Sequence, residues 1–105
     1  MEVNVLHLPL KSEWYNKIDS GEKKEEYREI KRYWKSRICK NYIESPNGSI
    51  LMDLKDINVV EFSYGYTKRK IKFEIDNISV GKGRVEWGAP KDRNVFIIKL
   101  GRRLI

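Results

Sequence analysis

Residues Val95-Phe96-Ile97-Ile98 carry no polar interruption. A strand of that composition has no solvent face, so it belongs inside a sheet with packing on both sides. Gly101 is expected to end it. The rest of the chain has to be arranged around that strand. Ile71, Phe73 and Ile75 alternate with Lys70, Lys72, Glu74 and Asp76, the pattern of a half-buried strand. Upstream, Asn58 to Tyr66 places Val60, Phe62, Tyr64 and Tyr66 on one face, opposite Val59, Glu61 and Ser63. The basic turn Thr67-Lys68-Arg69 joins these two strands as a hairpin. Val3 to Leu10 reads as a further strand, with Leu6, Leu8 and Leu10 on one face and Val3, Val5 and His7 on the other. Pro9 cannot donate to a ladder, so that strand ends there or lies at an edge. His7 shares its face with two valines and is expected to be packed and hydrogen-bonded rather than catalytic.

Two helices are expected among these strands. Ser12 can cap the first, Glu13 suits its positive end, Trp14 and Ile18 share a face, and Gly21 closes it. Ile30, Trp34 and Ile38 recur at i, i+4 and i+8 in the second, with Lys31, Arg32 and Lys35 turned away. That spacing makes Trp34 a core residue and leaves Tyr33, beside Arg37, as the freer aromatic. Residues 41–56 resist assignment beyond a turn at Ser45-Pro46-Asn47-Gly48. Gly81-Lys82-Gly83 breaks the strand pattern before a turn-rich loop around Glu86-Trp87-Gly88. Short helices followed by mostly antiparallel strands give an α+β domain, and strands so spaced in a small chain often curl into a compact barrel.

At 105 residues one domain is expected, spanning residues 1–105, and the 40% hydrophobic content supports a folded core. No apolar run approaches the ~20 residues that cross a bilayer, and no secretory signal is visible, so no membrane partner is expected. The single Cys39 fits a reducing, cytoplasmic setting and is expected to pack at a helix end. With one cysteine and one histidine no standard zinc cluster is available, and no metal or other cofactor is expected. The net charge of +7 is unevenly spread: residues 31–42, 62–73 and those from Arg93 onward are rich in Lys and Arg. Such runs suggest a polyanion-binding surface, nucleic acid or nucleotide, against the plainer reading of a solvated face.

The acids gather instead around Ser20-Gly21-Glu22-Lys23-Lys24-Glu25-Glu26-Tyr27-Arg28. This segment carries a resemblance. Leu6-His7-Leu8, Trp14 and Ile18, then Gly21-Glu22-Lys23 leading to Glu26-Tyr27-Arg28, resemble the ASCH domain of the PUA-like superfamily, in the small bacterial and phage version. Gly81-Lys82-Gly83, Glu86-Trp87-Gly88 and the closing strand are similar to it as well, so the likeness spans essentially the whole chain. It implies a small PUA-like β-barrel, mostly antiparallel, with two or three short helices and a cleft at the turn holding Gly21 and Lys23. Family members bind RNA or modified nucleotides there. One branch comprises amidohydrolases that deacylate acetylcytidine with a lysine, a threonine three positions later and a glutamate. Lys23 matches that lysine, whereas Glu26 stands at the threonine position. Other members are linked to RNA cleavage.

Two active readings and one passive one follow for the motif. As a binding module, Lys23 and Arg28 engage phosphate or base edges while Glu26 orients them. Tyr33, Tyr64 or Trp87 stack on bases, and Arg37, Lys68 and Arg69 supply further phosphate contacts. As a metal-independent hydrolase, Lys23 acts as a neutral amine or an oxyanion donor, with Glu26 or Glu86 as the carboxylate. Neighbouring carboxylates oppose the neutral amine, which favours the oxyanion role. In the passive reading, residues 22–29 form a salt-bridged strand edge without a ligand. A protein-interaction module is a further class. Geometry decides among these: Lys23 lies an odd number of positions from Glu26, so the two heads converge only if Lys23 still sits in the turn.

Overall fold

A computed structural model describes residues 3–105. In chain order the elements are β1 (Val5–Leu10), α1 (Ser12–Asp19), β2 (Glu25–Glu29), α2 (Arg32–Ile38), β3 (Cys39–Glu44), β4 (Ile50–Leu54), β5 (Val59–Tyr64), β6 (Lys70–Gly81), a 3-10 turn (Val85–Trp87) and β7 (Val95–Arg103). Five strands form one sheet in the order β1-β5-β6-β7-β2, and β3 pairs with β4 alone. The β1–β5 pair is parallel and the other pairs are antiparallel. The large sheet curls strongly into a half-barrel, and the fold is α+β, with two α-helices among the described residues. Its two free edges are β1 and β2.

The uninterrupted apolar run does lie inside the sheet, flanked by β6 and β2. Its alternate side chains serve two separate clusters. Phe96 and Ile98 join the main core with Leu6, Leu8, Ile18 and Phe62, while Val95 and Ile97 pack with Tyr27, Ala89 and Trp87. The strand does not stop at Gly101 but continues to Arg103, because β6 is long enough to pair Phe73 with Arg103. Gly101 serves close approach instead: a Cβ there would lie 3.3 Å from the Glu74 carbonyl oxygen, where the register shifts.

Several further expectations are corrected. His7 is not packed; its side chain is 68% exposed, and Nδ1 lies 2.9 Å from Glu61 Oε1. The leucine face of β1 is the buried one, which turns His7 outward beside its register partner Glu61. Tyr66 does not continue the core face of β5, which ends at Tyr64 before the turn, and it is almost wholly exposed. The second helix starts at Arg32, leaving Ile30 in the approach to it. Residues 41–56, unreadable in sequence, form most of the β3–β4 hairpin. Cys39 is buried where α2 meets β3, and burial pushes its thiol up. Among the described residues no helix is long and apolar enough to cross a membrane.

Candidate functional site

Glu26 and Arg28 lie two apart in β2 and are paired with Ile98 and Phe96 of β7. Paired residues of neighbouring strands share a face, so both charged side chains are turned to the core side of the curled sheet. A charge placed there needs partners. They come from the bend before β2, where the Lys23 amide donates to the Lys17 carbonyl at 2.9 Å and folds the chain back over α1. Lys23 Nζ lies 2.9 Å from Glu26 Oε1, and Arg28 Nη2 lies 2.8 Å from Glu26 Oε2. One carboxylate thus holds an ammonium and a guanidinium, one on each oxygen. Lys23 is 2% exposed and Glu26 5% exposed.

The remaining contacts tie this chain of charges to the walls. Arg28 Nη2 donates at 3.3 Å to the Pro9 carbonyl on β1, the opposite free edge of the sheet. The triad therefore sits in the seam between the two edges. Lys23 Nζ also donates to the Trp87 carbonyl. Its ammonium lies 4.6 Å from the Trp14 ring centre and 5.3 Å from that of Tyr27. The Arg28 guanidinium lies 4.9 Å from the Trp34 ring centre, and its buried Nε has no partner among the described residues.

Residues 82–90 reach the seam because Tyr27 and Trp14 leave room only for glycine. A Cβ on Gly83 would meet the Tyr27 ring at 2.5 Å. Gly88 closes the 3-10 turn at φ +99°, with the Trp14 ring 3.0 Å from where its Cβ would stand. The Tyr27 hydroxyl accepts from the Arg84 amide at 3.0 Å and donates to Glu25 at 2.8 Å. Burial, with Glu25 adding and the Arg84 amide opposing, pushes that phenol up to about 12.

Two hollows open from this arrangement. The inner one, about 300 Å³, is lined by Pro9, Trp14, Lys23, Glu26, Arg28 and Trp87 among others. The outer one, about 550 Å³, is lined by Arg28, Lys31, Trp34, Pro90 and Arg93 among others. Tyr27, Arg28 and Gly88 line both, so the two adjoin.

Of the residues singled out in the sequence, Lys23, Glu26, Arg28 and Trp87 meet here. Trp34 is part core, part wall of the outer hollow. Tyr33 is exposed on α2, edge-on to Trp34 at 4.7 Å and with the Arg37 guanidinium 3.6 Å from its centre, lining neither hollow. Tyr64 packs edge-on to Tyr15, with Arg69 5.1 Å from its ring centre, and neither Tyr64 nor Arg69 lines either hollow. Lys68 is exposed in the β5–β6 turn, and Glu86 is exposed and lines neither hollow. Trp14, Tyr27 and the Pro9 carbonyl were not singled out in the sequence, and Lys31 and Arg93 stood there only as members of basic runs.

Tertiary pairing also changes the charge map. Arg69, Lys70 and Lys72 meet Asp19 or Glu61, and Lys99, Arg102 and Arg103 meet Asp76, Glu74 and Asp19. Six of the eight cations in the runs at 62–73 and 93–103 therefore have an acidic partner, with Glu61 and Asp19 each serving two of them. Among the described residues Lys40 alone in 31–42 has an ion pair, with Asp56 at 3.6 Å. Among the described residues Lys31, Arg32, Lys35, Arg37 and Arg93 have none. No group of three or more His, Cys, Asp and Glu side chains among the described residues is placed to hold a metal ion. No protein-family model, curated protein or solved structure matches the chain.

Proposed function

We propose that this chain is an ASCH-like domain of PUA-like type that binds RNA or a modified nucleotide in the inner hollow. The observation that carries the reading is the buried Lys23–Glu26–Arg28 chain in a seam also lined by Trp14 and Trp87. A buried ion pair contributes little net stability compared with apolar residues of the same volume, so stability alone is a weak reason for one. In a ligand site it has a use. Glu26 fixes the cations and retains lone pairs for a base amino group, while Arg28 keeps donors beyond those given to Glu26 and Pro9. Aromatic walls suit the faces of bases.

The hydrolase alternative draws less support. Lys23 Nζ already donates to a carboxylate and a carbonyl, and Glu86 stands outside the hollow. Trp87 offers a clean test, since its contact with Lys23 is through the backbone and survives a side-chain substitution. Titration with random-sequence single-stranded RNA at low salt is expected to give saturable binding. Trp87→Ala is expected to weaken it by the ~1–3 kcal/mol of one stacked base. Acetylcytidine turnover abolished by Lys23→Ala would move the chain to the hydrolase class, and absence of both binding and turnover would favour a protein-interaction module.

A further inference from the structure

We infer that the outer hollow is a phosphate subsite, so that the ligand of the seam is a phosphorylated nucleotide, free or within a strand, rather than a bare nucleoside. The inference rests on the reading above only for what carries the phosphate; the anion subsite stands on its own geometry. Arg28, Lys31 and Arg93 line the hollow against one carboxylate, Glu29. Lys31 and Arg93 are exposed and have no ion pair among the described residues, whereas the Lys and Arg side chains of β6 and β7 each have one. Arg28 adds a buried Nε–H with no acceptor among the described residues. An unsatisfied buried donor costs about 1–3 kcal/mol, more when charged, a cost that an anion bound close enough to accept from it would relieve.

Arg28 is also held in orientation. Glu26 and Pro9 take Nη2, and the Trp34 ring lies beside the guanidinium, so the fork is set before any ligand arrives. Because Arg28 lines both hollows, a nucleotide with its base in the inner one places its phosphate in the outer one. A planar guanidinium sharing the hollow with two exposed cations matches a phosphate with several acceptor oxygens.

The three tryptophans make the test specific, since Trp34 lines the outer hollow and Trp14 and Trp87 the inner one. In ¹⁵N-labelled protein at low ionic strength, inorganic phosphate is expected to shift the Trp34 indole and Arg28 Nε–H signals saturably, leaving Trp14 and Trp87 in place. The Lys31→Gln/Arg93→Gln double variant, altered only at exposed positions, is expected to lose that response. A pool of the four ribonucleoside 5′-monophosphates is expected to move all three indoles and to bind about tenfold more tightly than the nucleosides, a difference of about 1.4 kcal/mol. A diester-linked dinucleotide that matches the monophosphates indicates a site for strand phosphates, and a weaker one indicates a terminal phosphate. Equal affinity of nucleosides and monophosphates overturns the subsite while leaving nucleotide binding intact. A phosphate response without any response to either pool upholds the subsite and removes the nucleotide reading. No saturable Trp34 shift with phosphate or monophosphate overturns the inference.

Discussion

Glu26 carries two cations on two oxygens, which makes it the most sensitive side chain in the seam. Glu26→Ala leaves a buried ammonium without its counter-charge and is expected to cost about 3–5 kcal/mol in urea unfolding. Glu22→Ala, which removes only an exposed 3.7 Å pair with Lys17, is expected to cost under ~1 kcal/mol. Gly83→Ala drives a methyl into the Tyr27 ring and is expected to cost about 1–3 kcal/mol. Tyr27 itself titrates late. Its phenol is raised from 10.0 to about 12, so the folded state holds a proton that the unfolded chain releases. Stability is therefore full below 10 and falls as pH rises towards 12, and Tyr27→Phe is expected to flatten that alkaline loss. The polar members of the site were legible because so many opposite charges close together fit no core. Trp14 and Tyr27 were not legible as walls, because nothing in their spacing tells a tryptophan over a lysine from a tryptophan over a leucine.

At the scale of elements, the sheet edges explain the site. Pro9, the penultimate residue of β1, has no amide proton, and β2 offers a guanidinium to its carbonyl where a closed barrel would have a ladder. On the outer face, Glu61 of β5 gathers His7 from β1 and Lys70 and Lys72 from β6. Burial alone would raise that carboxyl, but Lys70 and His7 outweigh it and hold it below 4.5. A depressed carboxylate stabilises the fold above its ordinary value and loses that contribution as pH falls. Glu61→Gln is expected to lower the urea midpoint at neutral pH and to weaken its decline below 4.5. The strands with clean alternation, β5 and β6, and the apolar start of β7 could be read from the sequence. The β3–β4 hairpin could not, because its apolar residues are spread over both faces, leaving Ile43 and Leu51 more than half exposed. The end of β7 was misread because Gly101 answers to a neighbouring strand rather than to its own.

For the whole molecule, a net charge of +7 says less than where opposite charges fail to meet. Acids on adjacent strands and on α1 cover the cations of β6 and β7, which charge runs along the chain do not reveal. Among the described cations without an ion pair are Arg32, Lys35 and Arg37 on α2 and Lys31 and Arg93 at the outer hollow. RNA affinity is expected to fall with salt by about 0.7 log units per decade for each phosphate contacted. Neutralising Lys31, Arg32, Lys35 and Arg37 together is expected to reduce that slope, whereas neutralising Lys70, Lys72 and Arg102 leaves it nearly unchanged. Where a strand lies on the protein is tested most directly by photo-crosslinking 4-thiouridine-bearing random RNA and locating the adducts by mass spectrometry. Adducts on Trp14, Trp87 or Trp34 are expected. Adducts confined to Tyr66 or to the β3–β4 hairpin, or none under saturating binding, would contradict a nucleotide site in the seam.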